Sequence, residues 1–423
     1  MKKFGAAAVD KSRRNKFKFV LEYCTNRERR RVMRKIPAMI QRDLMTALRQ
    51  AAADYPVVTL TGPRQSGKTT LVKTCFPGHA YANLEQPDLR KLAQDDPHGF
   101  FVRFPPPVIL DEIQRVPELA SYVQVAVDGD RRAKGRYILT GSHQTNLHQA
   151  VSQSLAGRTA VLRLLPLSLK EVATQARLPG VDELLWRGFM PALYEEPVDP
   201  TGYHRNYFQT YVEKDVRQLL QIRNLHAFER FMTLLAGRVG QIVNLSALSG
   251  ETGVSSTTLG EWLSILEASF VVFRLHPYFA NIGKRVVKSP KLYFTEVGLA
   301  TYLLGIESPA QMTRDPLRGG LFENMVVSDL LKTRLNQGRD PGLFFLRDNK
   351  GFEIDLIVKE GRHLIPVEIK SSMTFQPDFI RPLRDFCSRE KTAHAPALVY
   401  AGEPFPDVHG VRCVNFQEAY RLV

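Results

Sequence analysis

The chain has 423 residues, 44% hydrophobic and 24% charged, a balance that excludes a wholly disordered or fibrous protein. That length exceeds one ordinary core, so two to four domains are expected. The formal charge of +15 suggests a nucleic-acid partner, but residues 1–38 hold thirteen Lys/Arg against Asp10, Glu22 and Glu28, a net +10 that leaves only +5 elsewhere.

This head, 1–38, reads as disordered and solvated, or as a tail that contacts phosphate backbones non-specifically. Periodic sequence begins only at Met39, so Met39 is also an expected alternative start. No apolar run approaches the ~20 residues of a membrane span, so no membrane partner is expected. The four cysteines, Cys24, Cys75, Cys387 and Cys413, form no C-x-x-C pair, which argues against a zinc or disulfide framework and fits a cytoplasmic setting.

Met39–Ala53 has helical spacing and leads into the apolar run Val57–Leu60. Gly62-Pro63-Arg64-Gln65-Ser66-Gly67-Lys68-Thr69 follows, with Thr70 next, and fits the phosphate-binding pattern G-x-x-x-x-G-K-[ST]. The two glycines let successive backbone N–H groups turn inward around phosphates, and the helix opening near Gly67 adds its positive dipole end. Lys68 is expected to reach the β- and γ-phosphates and the Thr69 hydroxyl to bind Mg²⁺. Strand before and helix after (Lys68–Cys75) supply the required context.

A second strand is expected at Tyr81–Leu84, and a third at Val108-Ile-Leu-Asp-Glu112, ending in adjacent carboxylates. Asp111 is the expected Mg²⁺ holder and Glu112 the residue that polarises attacking water. In Arg136–His143, Ser142 is the candidate γ-phosphate sensor, with Thr140 and His143 as competitors. Arg158 is a candidate arginine finger; the alternative is a surface salt bridge. Alternating strands and helices imply a parallel α/β sheet with the ligand at the strands' carboxyl ends. No N-K-x-D guanine signature occurs, so ATP is favoured over GTP.

Gly62–Thr70, Leu110-Asp-Glu-Ile-Gln114, Leu139-Thr-Gly-Ser142 and Ser154-Leu-Ala-Gly-Arg158 together resemble bacterial and archaeal AAA-type ATPases. The resemblance spans roughly 39–375. It implies ATP-dependent action in oligomer- or DNA-linked processes, and a second half ending in a PD-(D/E)xK nuclease-like fold. Where such proteins tend to carry Asp-x-Gly-Leu, this chain has Glu296-Val-Gly-Leu299.

Leu167–Leu185 and Phe208–Leu220 have helical patterning and read as a lid. Phe228–Leu235, Leu245–Glu251 and Ser256–Leu266, then strands at Phe270–Leu275 and Lys291–Phe294, follow winged-helix order. The segment 256–267 has no Lys or Arg and two Glu, so base readout by it is not expected. Lys284, Arg285, Lys288 and Lys291 in the wing are the candidates for phosphate contact, and a protein-interaction or structural role suits the module equally.

Residues 319–423 read as helix, strand, hairpin, helix and strand, the core order of a restriction-endonuclease-like α/β domain. Glu323, Asp355 and Glu368 are candidate ligands for Mg²⁺ or Mn²⁺, and Lys370 is the candidate water-orienting base partner. A hairpin centred near Gly361-Arg362 sets Asp355 opposite Glu368, and Lys370 on the same face.

The expected architecture is multidomain α/β: head 1–38, P-loop ATPase core 39–166, lid 167–225, winged-helix module 226–300 and nuclease-like domain 301–423. The expected activity is Mg²⁺-dependent ATP hydrolysis coupled to a DNA-associated module. The alternative is an ATP-dependent switch whose C-terminal fold binds nucleic acid or protein without cutting, and a homo-oligomer is a candidate state.

Overall fold

The computed structural model describes residues 40–142, 154–175, 177–216, 224–278 and 289–423. The expectations for the head 1–38, for His143 and for Lys284, Arg285 and Lys288 lie outside these residues. Residues 41–423 form one compact unit.

Its first layer is a parallel sheet of β1 (Val57–Thr61), β2 (Ala80–Asn83), β3 (Val108–Asp111), β4 (Tyr137–Gly141) and β5 (Thr159–Arg163). The order is β2-β3-β4-β1-β5. Strands β1, β3 and β4 are buried throughout, as strands covered on both faces must be. Their side chains divide by parity. Val58, Leu60, Ile109 and Ile138 pack under the helices Met45–Asp54 and Lys68–Cys75, through Leu48, Leu71 and Val72. Val57, Leu110, Tyr137 and Leu139 pack the other way, against Phe100, Leu119 and Val123. With β1 between β4 and β5, the carboxyl ends of β1, β3 and β4 lie side by side.

The middle of the chain is helical. The helix expected over 167–185 is two short ones, Leu169–Ala173 and Val181–Arg187, because Pro179-Gly180 interrupts the pattern. The helix Pro200–Tyr207 continues as a π-helical stretch, Phe208–Val216. Helices Leu225–Ala236, Leu245–Thr252 and Ser256–Ala268 precede antiparallel β6 (Val272–Pro277) and β7 (Lys291–Phe294). Strand β6 starts two residues later than expected because Phe270 adopts φ 58° and turns the chain first.

The C-terminal part begins with the helix Arg318–Asn336, then β8 (Leu343–Arg347), β9 (Glu353–Glu360), β10 (His363–Lys370), the helix Arg381–Arg389 and β11 (Ala397–Tyr400). Two strands absent from the sequence reading follow, β12 (Phe405–Val408) and β13 (Val411–Asn415), the latter parallel to β11. The sheet does not stop at the boundary expected near 300. Strand β6 pairs with β8 through His276↔Phe344, so β6 and β7 complete an eight-stranded sheet, β12-β13-β11-β10-β9-β8-β6-β7.

Candidate nucleotide site

The loop between β1 and the helix Lys68–Cys75 needs glycine at both ends. At Gly62 a Cβ would fall 2.0 Å from the Leu164 carbonyl oxygen. Gly67 takes φ 90° as the helix N-cap residue, and Gln65 is also left-handed at φ 62°. Lys68 Nζ donates to the carbonyls of Gly62 at 2.9 Å and Pro63 at 2.7 Å, folding the loop around its own ammonium. Burial pushes the Lys68 pKa down to about 8, although Glu112 and Asp111 oppose that shift.

Opposite the loop, Asp111 ends β3 and gathers three hydroxyls. Thr69 Oγ1 donates to Asp111 Oδ2 at 2.9 Å, Tyr81 OH donates to the same oxygen at 2.6 Å, and Thr140 Oγ1 donates to Oδ1. The Thr69–Asp111 pair offers only hard oxygen donors beside the phosphate loop, which fits Mg²⁺. Glu112 sits in the left-handed region at φ 58°, a strained backbone state of the kind found at reactive positions. Its carboxylate accepts from Ser142 Oγ at 3.1 Å and from Gln114 Nε2, and Gln114 also donates to Ser142 at 3.2 Å. Gln114 and Tyr81 are thus parts of the site that the sequence reading did not single out. The signal for Gln114 was its place at the end of the Leu110–Gln114 motif.

Sequence reading also gave no hint of Arg42. Its buried guanidinium donates to the loop carbonyl of Ser66 at 2.6 Å, to Leu165 O at 2.7 Å, and to Glu171 Oε1 at 3.0 Å. From the helix Pro200–Tyr207, Tyr203 OH donates to the Gln65 amide oxygen. Arg64 lies 6.0 Å from the Tyr211 ring centroid.

Arg158 lies apart from these groups. It precedes β5, whose first residue pairs with Val57 at the amino end of β1, so it stands about 13 Å of strand away from this chain's loop. There it makes a bidentate pair with Asp128, with both contacts at 2.9 Å.

In the C-terminal sheet, Asp355, Glu368 and Lys370 come together. The hairpin turns at Gly361-Arg362 with His363↔Glu360 and Val367↔Leu356, a register that carries Asp355 opposite Glu368. Lys370 Nζ bridges them, 2.9 Å from Asp355 and 2.7 Å from Glu368. Burial pushes the Glu368 carboxyl well above the usual range, and Asp355 adds to this while Lys370 opposes it. Glu323 accepts from Tyr293 OH at 2.6 Å and Lys291 Nζ at 3.1 Å. Lys291, a wing candidate for phosphate contact, is buried and also pairs with Glu353 at 2.6 Å. Two ammonium groups therefore occupy the carboxylate cluster. Among the described residues no group of three or more His, Cys, Asp or Glu is disposed to hold a metal ion. Glu296 is structural: its carboxylate accepts from Gly298 N at 3.0 Å and Phe189 N at 2.9 Å, capping a helix against Gly188.

Uncharacterized proteins of Mycobacterium tuberculosis and Mycobacterium bovis are each 33% identical to this chain over 368 residues, 86% of it and 80% of their own length. This chain belongs to their family. Within this member, residues 54–173 match an AAA domain. Residues 178–310 and 318–418 match two domains of unknown function, DUF8612 and DUF4143. A Walker-type ATPase of Pyrococcus abyssi is 14% identical, with a TM-score of 0.38, covering 64% of this chain and 97% of that one. The site is that of a P-loop ATPase-like nucleotide domain. No helix among the described residues is long and apolar enough to cross a membrane.

Proposed function

We propose that this protein is a Mg²⁺-dependent ATPase working as a regulatory switch, in which the nucleotide cycle at Gly62–Thr69 sets the state of a DNA-associated module. The reading rests on one observation: Glu112 is held by Gln114 and Ser142 beside an Asp111 that already contacts Thr69. Lys68 and the loop N–H groups bind the phosphates, and Glu112 takes the proton of the attacking water. Bound Mg²⁺, held by Thr69 and Asp111, would neutralise charge on the β- and γ-phosphates. The module consists of helices 225–268 with β6 and β7, and its winged-helix order supports a nucleic-acid partner. The C-terminal fold acts here as a non-cutting shell, in keeping with its lysine-filled carboxylate cluster.

The test is ATP turnover by the full chain with and without duplex DNA, beside Lys68→Ala. Turnover that rises with DNA and is lost in the variant is expected. Equal turnover in the variant would overturn the ATPase reading, and DNA-independent turnover would overturn the partner.

Nucleotide affinity should also depend on pH. Phosphate contact needs the Lys68 ammonium, and the free site holds it only below about pH 8. Bound phosphate raises this pKa, so above about pH 8 binding must take up a proton, and affinity falls about tenfold per pH unit. Titration with a fluorescent ATP analogue from neutral to alkaline pH checks this, and a flat profile would refute it.

A further inference from the structure

Where β5 leaves the first sheet, a cavity of about 560 Å³ opens between it, the helix Ser256–Ala268, strands β6 and β8, and the helix Arg318–Asn336. That volume suits one small ligand. Its body is apolar, walled by Leu165, Phe270, Leu275, Leu335 and Phe344. Phe270 reaches that wall only by holding φ 58°, a conformation a bulky residue adopts at a cost of order 1 kcal/mol. The polar lining is Arg163, Arg274, Glu267, Ser264, His276 and Thr295. Arg274 is committed to Glu267, its Nε 2.8 Å from Oε2. Exposed Arg163 has no carboxylate partner among the described residues.

An apolar chamber with one uncommitted guanidinium matches an amphiphilic anion. We propose that this cavity binds a molecule with an apolar body and a single carboxylate, the carboxylate on Arg163. The site is wired to the phosphate loop. Arg163 is the register partner of Thr61, the residue before Gly62. Leu164 O is the atom that leaves no room for a side chain at Gly62. Leu165 O is held at 2.7 Å by the same Arg42 that holds Ser66 O at 2.6 Å. Three consecutive residues therefore carry the ligand's head contact, the loop's backing and part of the chamber wall. The cavity ligand and the nucleotide change one another's affinity by a common factor. This coupling rests on the nucleotide-site reading, whereas the cavity's own binding does not.

Calorimetric titration of the full chain with decanoate, without nucleotide, tests the site, with decan-1-ol as the uncharged control. Saturable one-site binding of decanoate is expected. Arg163→Ala should weaken it about tenfold and leave decan-1-ol unchanged, because only the charged contact is lost. Ala268→Trp, which fills the chamber, should abolish both. Absence of saturable binding, equal decanoate affinity in Arg163→Ala, or undiminished binding in a folded Ala268→Trp would each overturn the site. Repeating the titration with saturating ATP should shift decanoate affinity several-fold. An unshifted value would overturn the wiring alone, and failure of ATP itself to bind would fault the nucleotide-site reading instead.

Discussion

Glu112→Gln is expected to bind ATP as tightly as the parent chain and to turn it over ~10²–10⁴-fold more slowly, the loss typical of removing a positioned general base. The substitution keeps size and hydrogen-bonding shape but cannot accept the water's proton. The site isolates this effect well, because Glu112 does not hold the loop. The Lys68, Thr69 and Asp111 contacts are made without it. What Glu112 does have is restraint: a left-handed backbone, Ser142 at 3.1 Å, and Gln114. Gln114 Oε1 is buried without a partner, so the amide has an acceptor to spare for the same water. Gln114→Ala should therefore fall between the parent and Glu112→Gln. Phosphate release under single-turnover conditions measures both. Parent-like turnover in Glu112→Gln would remove it from the chemistry.

The parts of this site that the sequence disclosed are those fixed by neighbours along the chain. Gly62, Gly67, Lys68 and Thr69 are spaced by the loop's own geometry, and Asp111 and Glu112 by the end of one strand. The C-terminal hairpin register was legible for the same reason, since a two-residue turn at Gly361-Arg362 fixes every cross-strand pair. Arg158 shows what local reading leaves open. Its motif is conspicuous, but in a parallel sheet a residue before a strand sits at the amino edge, away from the ligand. The pairing of Thr159 with Val57, 102 positions earlier, fixes its place relative to this chain's own loop. Lys291 was misjudged because burial depends on Glu323 and Glu353 arriving from a later helix and strand. The continuation of β6 into β8 rests on two residue pairs that no pattern in either segment announces.

Arg42→Ala is expected to destabilise the protein by ~3–5 kcal/mol, the loss seen when one partner of a buried ion pair is removed. Arg42 is 6% exposed and its partner Glu171 0%. Glu171 would keep its N–H donors, Asp43 N at 2.8 Å and Ser168 N at 2.8 Å, but not its countercharge. Ser66 O and Leu165 O would each lose a donor as well. Because one of those carbonyls belongs to the phosphate loop, ATP affinity should fall together with stability. Urea unfolding of the single variant and of Arg42→Ala with Glu171→Gln separates the causes. If the buried charge dominates, the neutral amide recovers part of the loss, since its one carbonyl oxygen can still accept from Asp43 N or Ser168 N, though not from both. If the double variant is no more stable than the single one, the lost carbonyl contacts carry the effect. A single-variant cost below ~1 kcal/mol, the range of an exposed pair, would mean that water reaches this guanidinium and that it does not brace the loop.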